Sequence, residues 1–155
     1  DQIDYSRYYG GAGCSFFRCA NVLDNTKGIY DELKNVYYKY PAQLPPLKWL
    51  DDAVPEAPSE IKVRKENNEL ELTWDVPEGK SDSLSYTVYY AINDSVDTQT
   101  SSHMLATGVR GNSFRLPLTD ETERMYSFCV TSSTRYRIES KPSKETIYYL
   151  LPYEK

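Results

Sequence analysis

From residue 58 onwards, apolar and polar side chains alternate in short segments separated by polar turns. In ELELTWD, for example, Leu70, Leu72 and Trp74 fall on one face and the intervening residues on the other. Because successive side chains of a strand point to opposite faces, this period of two predicts half-buried β-strands. The segments are EIKVRK, ELELTWD, SYTVYYAI, TQTSSHMLATG (an edge strand), SFRLPL, MYSFCVTS and ETIYYLL.

About seven short strands in roughly 95 residues predict a mainly β fold, an immunoglobulin-like seven-strand sandwich. The predicted turns lie at 67–68, 77–80, 93–94, 108–112 and 119–123. The inward-facing positions of the strands predict the core between the two sheets. The residues expected to form it include Trp74, Tyr86, Val88, Tyr126 and Phe128.

The first 41 residues follow a different pattern. GAGCSFFRCANVL carries apolar side chains on both faces of a predicted strand, which is typical of parallel sheets in α/β proteins. The loop DNTKG follows, and the apolar spacing of IYDELKNVYYKY predicts a helix over residues 29–40. Asn25 or Thr26 is expected to cap this helix, and Pro41 to stop it.

One strand–loop–helix unit cannot cover both faces of its own strand. Residues 1–41 are therefore expected either to dock on other chains or on the sandwich, or to follow further units upstream. The second alternative is the more economical. It makes these residues the last β–α unit of a larger domain.

A proline-rich segment joins the two parts. Five of the nine prolines lie between Pro41 and Pro58, a density that favours extended, semi-rigid backbone. A free linker would not need apolar side chains, so we expect this segment to lie against one of its neighbours. Its large apolar residues are Leu44, Leu47, Trp49 and Leu50. The predicted domains are residues 1–41, the linker 42–57 and the sandwich 58–151.

Charge and composition exclude several classes. The net charge of −5 is uneven, with six basic and five acidic side chains in residues 1–50 against 12 and 18 in residues 51–155. Without a basic excess, nucleic acid is not an expected partner. No apolar run approaches the ~20 residues of a membrane span. The first residues, DQIDYSRYYGG, do not read as a signal peptide.

Cysteine and histidine usage predicts neither a disulfide scaffold nor a metal site. Cys14 and Cys19 would lie on opposite faces of one strand, and Cys129 leaves the count odd. We expect all three to be buried apolar thiols. His103 is the single histidine and no CxxC pair exists, so no metal is expected. The glycines at 10, 11 and 13 miss the known nucleotide-binding patterns, so no cofactor is expected.

Residues ~56–150 resemble a fibronectin type III domain. PEAPSEIKV is similar to the first strand of that family, LELTWDVPEG to the second, SYTVYYAI to the third, and MYSFCVTSS followed by IESKPSKE to the sixth and the approach to the last. The resemblance implies that Trp74 is the core tryptophan and Tyr126 the tyrosine of the sheet corner. It implies a spacer, adhesion unit or docking surface, and no reaction.

The segment GGAGCSFFRCANVLDNTKGIYDELKNVYYKYP resembles the last strand and helix of a (β/α)8 barrel, in particular bacterial family-10-like glycosyl-hydrolase-like barrels. The resemblance implies a secreted, periplasmic or surface-attached bacterial parent that acts on polysaccharide. Barrel sites lie at the C-terminal ends of strands, which makes Asn21 and Asp24 candidate sugar-binding residues. Loop and cap chemistry is the alternative reading of both. No pair of carboxylates with glycosidase spacing is present in this segment, so no catalytic residue is assigned.

A second candidate surface lies in the loop STRYRIES. Arg135, Tyr136 and Arg137 offer guanidinium groups for anions and a ring for stacking. A solvated loop whose side-chain stems pack on the sandwich is the alternative.

Three functions are compatible with these features. The first is a non-catalytic C-terminal accessory portion of a glycoside-hydrolase-like protein, a spacer or orienting module with the remainder of the barrel as its partner. The second is an independent module that binds carbohydrate or a cell-surface protein. The third, a self-contained enzyme, is the least supported because no catalytic constellation is found.

Overall fold

The computed structural model describes residues 2–11, 13–76, 83–118 and 124–151. It is mainly β, with two antiparallel sheets and short helices. The chain divides into two compact units, residues 1–39 and 40–155. The turns expected at 77–80 and 119–123 lie outside the described residues.

The described strands of the second unit form a three-stranded and a four-stranded sheet. The first has the order β1-β2-β5 and the second β4-β3-β6-β7, with every neighbouring pair antiparallel. The strands are β1 Ser59–Glu66, β2 Glu69–Asp75, β3 Ser85–Ile92, β4 Met104–Val109, β5 Ser113–Pro117, β6 Arg124–Ser133 and β7 Thr146–Leu150. Each coincides with one of the seven alternating segments. His103 lies in a 3-10 turn before β4, not in the strand itself.

Local turn chemistry explains two of the connections. The β1–β2 hairpin pairs Glu66 with Glu69, and Asn67 adopts a φ of 52° in its two-residue turn. Asparagine tolerates this left-handed conformation better than other non-glycine residues. Between β4 and β5, Gly111 has a φ of 82°, a conformation that is strained for any side chain.

The core forms from one face of each sheet. Leu70, Leu72 and Trp74 of β2 are fully or almost fully buried, as their alternation predicts. Tyr86, Val88, Tyr126 and Phe128 complete the expected set at 0–5% exposure. Burial of this apolar area is the main stabilising term for the sandwich. Among residues of the same face, Ile92 is 40% exposed because it stands at the end of β3.

The opposite face of the four-stranded sheet is also covered. Thr87, Tyr89 and Ala91 of β3 are at most 4% exposed, although alternation predicts solvent on this side. The proline-rich segment lies against this sheet: the Leu47 N–H donates to the Tyr136 carbonyl at 2.9 Å. Farther along, the Ser132 hydroxyl donates to a main-chain carbonyl of the segment at 2.6 Å.

The segment is therefore docked, as expected, but not by the side chains that suggested it. Leu44, Trp49 and Leu50 are 62%, 77% and 57% exposed, and Leu47 is half-buried. Polar contacts and the buried Pro55 and Pro58 hold the segment instead.

The first unit differs from its prediction. No described residue between 2 and 39 lies in a strand: residues 13–18 are irregular and Cys19–Leu23 forms a helix. The expected strand–loop–helix unit is therefore wrong in its first element. A strand buried on both faces needs paired neighbours for its backbone groups, and a short helix satisfies those groups within the segment.

The helices of this unit are short. They are α1 Gln2–Tyr8, α2 Cys19–Leu23 and α3 Ile29–Glu32, with a 3-10 turn at Thr26–Gly28 and a π-helical turn at Leu33–Tyr37. The helix predicted over 29–40 is thus present from Ile29 to Tyr37 and ends before Pro41. The N-cap position is Gly28 and not Asn25 or Thr26 as expected, but the Asn25 carboxamide oxygen still accepts from the first-turn Tyr30 N–H at 2.9 Å. No helix in the described ranges is long and apolar enough to traverse a bilayer.

The prediction of three buried thiols holds for one. Cys129 is 3% exposed on β6, whereas Cys14 and Cys19 are exposed because the strand that would have buried them is not formed. In the described part of this unit, Ile3 is the buried apolar side chain. Phe17 is 98% exposed, and Tyr8 is 83% exposed.

Candidate binding groove

A tight loop follows β6 and carries the three candidate residues of the sandwich. The Thr134 N–H donates to the Ile138 carbonyl at 3.0 Å, and the Thr134 hydroxyl accepts from the Ile138 N–H at 3.2 Å. Ile138 is 5% exposed, and Arg137 is held at a φ of 64°. The backbone is thereby fixed, so the side chains of residues 135–137 project from a rigid base.

A cavity of about 540 Å³ opens beside this loop. Part of the proline-rich segment forms one wall, and the start of β3 and the loop after β4 form the others. Its described lining residues are Asp51, Ala53, Val54, Pro55, Ser83, Leu84, Arg110, Thr134, Arg135 and Tyr136. The Arg110 guanidinium donates to the Leu84 carbonyl at 3.1 Å, which fixes one wall. We call this cavity and its smaller neighbour, described next, the groove.

The neighbouring cavity measures about 250 Å³ and shares Thr134 with the first. Arg137 lines it together with Gln43 and Thr107, so the loop stands between the two spaces. Arg135 and Tyr136 face the larger space and Arg137 the smaller one. The structure thus brings the three candidates together and divides them between two adjoining cavities.

Arg135 and Tyr136 form one composite surface. The Arg135 guanidinium lies over the Tyr136 ring, 4.5 Å from its centre, and donates to the Tyr136 hydroxyl. Stacking of this kind orders a guanidinium without neutralising it, because the ring contributes only its quadrupole. The pair therefore remains able to bind an anion.

Five of the six arginines of the sandwich fall into two environments. On the three-stranded sheet, Arg64 and Arg115 contact the 8%-exposed Glu71 at 2.5 Å and 3.0 Å. The hydrogen bond from Arg64 and the contacts of Arg115 lower the pKa of the Glu71 carboxyl, and burial opposes them. Around the groove, within the described ranges, none of Arg110, Arg135 and Arg137 has a carboxylate partner.

A partly buried polar cluster supports the wall of the groove. The Gln43 amide nitrogen lies 2.7 Å from Glu139 Oε1, 3.0 Å from Thr87 Oγ1 and 3.1 Å from Tyr89 Oη. The Tyr89 and Thr131 hydroxyls donate to the same Glu139 oxygen at 3.0 Å and 2.5 Å. These five residues, Gln43, Thr87, Tyr89, Thr131 and Glu139, are called the Glu139 cluster.

Burial is the largest cause of the raised pKa values of the Tyr89 hydroxyl and the Cys129 thiol. It raises the pKa of the Tyr89 hydroxyl, with a further contribution from the Glu139 carboxylate. It also raises the pKa of the neighbouring Cys129 thiol to about 12, with the Glu145 and Glu139 charges adding to it. Cys129 is therefore a neutral thiol at physiological pH, and a thiolate nucleophile is not formed there.

Asn21 and Asp24 lie in the first unit and not at the end of a strand. Asn21 is exposed on α2, and Asp24 ends that helix, where its N–H donates to the Ala20 carbonyl at 2.8 Å. The polar contact formed in this region is local: Asn25 donates to Asp31 at 2.7 Å. The barrel geometry that made Asn21 and Asp24 candidates is therefore absent from the described residues.

Sequence reasoning missed Arg110, Gln43 and Glu139 as parts of the groove and its support. Arg110 lies in a loop, in the tripeptide Arg110-Gly111-Asn112, and no local pattern there indicates a groove. Gln43 contacts Glu139, 96 positions away in the chain, and no local pattern carries that information.

The described lining of the groove is poor in carboxylates. Asp51 is the carboxylate among its described lining residues, and its Oδ1 accepts from the Ala53 N–H at 3.0 Å. Glycoside hydrolysis ordinarily requires two carboxyls. In the ranges that the structure describes, no cluster of three or more histidine, cysteine or carboxylate side chains is placed to hold a metal ion.

Comparison with known proteins finds a related sequence. The glycosyl hydrolase YngK of Bacillus subtilis strain 168 is 31% identical over 137 residues, which cover 86% of this chain and 26% of YngK. The chain thus spans about a quarter of the relative's length. No protein-family model matches it. The Family 28 exopolygalacturonase of Yersinia enterocolitica aligns at 14% identity and a TM-score of 0.48, over 64% of this chain and 21% of that one.

Proposed function

We propose that this chain is a non-catalytic accessory portion of a larger, secreted or surface-attached bacterial glycoside-hydrolase-like protein. The exposed apolar surface of the first unit carries this proposal. In its described residues Ile3 is the buried apolar side chain, whereas nine large apolar or aromatic side chains between Tyr5 and Tyr38 are at least 41% exposed. Large exposed apolar surface commonly marks an interaction site.

The partner is then the remainder of the parent protein. A partial match to a glycosyl hydrolase of about four times the matched length agrees with this reading. The exposed aromatic residues would form part of the interior of the larger domain, where dispersion and burial would stabilise them.

The second unit is proposed to be a fibronectin type III domain. Support comes from its three-stranded and four-stranded antiparallel sheets, and from the burial of Trp74 and Tyr126. The Tyr126 ring stacks on Phe128 at 6.0 Å between ring centres. The loop just before Tyr126 lies outside the described residues.

Docking of the proline-rich segment favours an orienting role over a loose tether. Gln43, Leu47 and Glu56 are each hydrogen-bonded to the sandwich or its loops, at points spread along the segment. A connection fixed at three points transmits the orientation of the sandwich, whereas a free chain would not. We therefore assign the module the task of presenting a catalytic domain to polymeric substrate.

The experiment compares the full-length protein with a variant whose connection is loosened, Gln43→Ala combined with Ser132→Ala. The variant loses two of the three anchors. We expect its kcat/KM on the polysaccharide substrate to fall several-fold, while kcat/KM on a small chromogenic glycoside stays unchanged. The 155-residue chain alone is expected to hydrolyse neither substrate.

The matched control is Gln99→Ala with Ser101→Ala, which changes the same residue types at exposed positions of another loop. It should leave both activities at their original values. If the loosened variant kept the original kcat/KM on the polysaccharide, or lost kcat/KM equally on both substrates, the orienting role would be overturned. Turnover by the 155-residue chain would overturn its non-catalytic assignment.

A second candidate function is an independent binding module for carbohydrate or for a cell-surface protein. The groove beside Arg135 and Tyr136 is the observation that favours it. The two functions are compatible, because an orienting module that also binds substrate would hold the catalytic domain close to it.

A further inference from the structure

We infer that the groove binds an acidic polysaccharide, a chain whose sugars carry carboxylate groups. This inference deepens the proposed function and rests on it in one respect, the choice of a sugar polymer over other anions. It assigns a ligand class to the groove, whose walls include part of the docked proline-rich segment.

The unpaired arginines indicate the charge of the ligand. Residues 51–155 carry 18 acidic and 12 basic side chains, so an arginine at their surface would ordinarily find a carboxylate nearby. Arg64 and Arg115 do so, through Glu71. Around the groove Arg110, Arg135 and Arg137 do not, at least within the described residues. Guanidinium groups bind carboxylates through two parallel hydrogen bonds.

Among the described residues, the carboxylate that lines the groove, Asp51, forms no ion pair with these arginines. Asp51 accepts a hydrogen bond from the main chain two residues on, at 3.0 Å, and so stabilises its own turn. The three arginines line two cavities that share Thr134. Positive charge is thus distributed along the groove, as a polymer with a carboxylate on each sugar would require.

The remaining lining groups suit sugar rings. Ser83, Thr134 and Ser133 supply hydroxyls to the two cavities, and Tyr136 supplies a ring. The larger cavity, about 540 Å³, falls within the size range of small-molecule pockets, and the smaller one extends it. An extended chain of a few sugar units could therefore lie across the loop with its carboxylates near the arginines.

The loop is ordered before any ligand binds. Ile138 anchors it in the interior, and Arg137 keeps its left-handed backbone through a hydrogen bond from its N–H to the Thr134 carbonyl at 2.8 Å. A site that is already ordered loses less conformational entropy on binding.

The test is isothermal titration of the 155-residue chain with oligo-alginate, whose uronic acid units each carry a carboxylate. Neutral cello-oligosaccharides of the same length and poly-L-glutamate of similar charge are titrated in parallel. We expect the chain to bind oligo-alginate at least tenfold more tightly than either control. Raising the salt concentration should weaken the binding, since charge pairs at the surface are screened.

Two variants locate the site. Arg135→Ala is expected to lower the affinity for oligo-alginate about tenfold, and Arg135→Lys to restore only part of it, because an ammonium cannot make the bidentate contact. Lys62→Ala removes the same charge from an exposed position on the three-stranded sheet and should leave the affinity unchanged.

Four results would overturn the inference: no measurable binding of oligo-alginate, equal or stronger binding of the neutral oligosaccharide, equal binding of poly-L-glutamate, or equal losses in Arg135→Ala and Lys62→Ala. None of them bears on the orienting role, which is measured by hydrolysis with the full-length protein. Conversely, a negative result in the hydrolysis experiment would not change the affinity of the 155-residue chain for oligo-alginate. Stronger binding of the neutral oligosaccharide would assign the groove to uncharged glycans and so contradict the choice of an acidic one.

Discussion

Tyr86 and Tyr89 lie three positions apart on β3 and face opposite sides of the sheet. Both are almost fully buried, but their hydroxyls differ in environment. The Tyr89 hydroxyl donates to Glu139 at 3.0 Å, whereas the Tyr86 hydroxyl has no hydrogen-bond partner among the described residues. Burial raises the pKa of both hydroxyls, so both remain protonated at neutral pH.

The matched substitutions Tyr86→Phe and Tyr89→Phe should therefore have different effects on stability. Tyr86→Phe removes an unsatisfied buried donor, and we expect the free energy of unfolding to stay the same or rise by up to about 1 kcal/mol. Tyr89→Phe breaks a buried bond and should cost about 1–3 kcal/mol. Urea unfolding measures both. Equal losses would contradict the assignment of the two environments.

Glu71 is a residue whose ionisation couples to stability. Its lowered pKa means that its contribution is fully present above the pKa of an unfolded glutamate, about 4.3, and is lost as pH falls through the lower folded value. We expect Glu71→Gln to be less stable than the wild type at pH 7. The difference in the free energy of unfolding between the two proteins should shrink as the pH falls below about 4.3 and through the lower folded pKa of Glu71.

Urea unfolding over this pH range measures the effect, with Glu56→Gln as the control at an exposed position. The control should follow the wild-type curve. A constant difference between Glu71→Gln and the wild type at every pH would show that the loss comes from packing and not from the charge.

At the scale of elements, the proline-rich segment behaves as an additional layer on the four-stranded sheet. Its Gln43 side chain enters the Glu139 cluster, and its main chain continues along the loop after β6. The layer explains why the outer face of β3 is buried. It also explains why threonine and tyrosine, which can hydrogen-bond, occupy that face.

Removal of one anchor should loosen the segment without unfolding the sheet. In Gln43→Ala, Glu139 keeps its bonds from Tyr89 and Thr131, so the cluster stays largely satisfied. We expect amide hydrogen exchange at Leu47 to accelerate at least several-fold, while exchange at Leu72 in β2 stays constant. Acceleration at both amides would indicate global destabilisation, and no change at Leu47 would show that Gln43 does not hold the segment.

At the scale of the whole molecule, the two units contrast in how much apolar surface they bury. The sandwich has its own core, whereas the described part of residues 2–39 exposes most of its aromatic side chains. A chain cut to residues 40–155 should unfold cooperatively, because its core is complete.

The 155-residue chain is expected to bind the dye 8-anilinonaphthalene-1-sulfonate strongly, and the shortened chain to bind only a small fraction of it. Fluorescence titration and thermal unfolding of the two chains test this expectation. Equal dye binding by both would place the exposed apolar surface on the sandwich. A shortened chain without a cooperative transition would mean that the sandwich depends on the first unit.

The sequence by itself determined the strands of the sandwich and which of their faces is apolar. Alternation and turn residues are local properties, so ELELTWD specifies both the strand Glu69–Asp75 and the buried side of Trp74. The helix beginning at Ile29 was also predictable, for the same reason. The loop carrying Arg135, Tyr136 and Arg137 could be named as a candidate surface from its residue types alone.

Tertiary structure alone decided the helix Cys19–Leu23, the Glu139 cluster and the groove. Cys19–Leu23 forms a helix because a strand needs partners that the described residues do not provide. The Glu139 cluster joins residues up to 96 positions apart, and the groove exists only once the proline-rich segment lies beside Arg110 and the loop after β6. Such contacts depend on where distant parts of the chain meet, and periodicity carries no information about that.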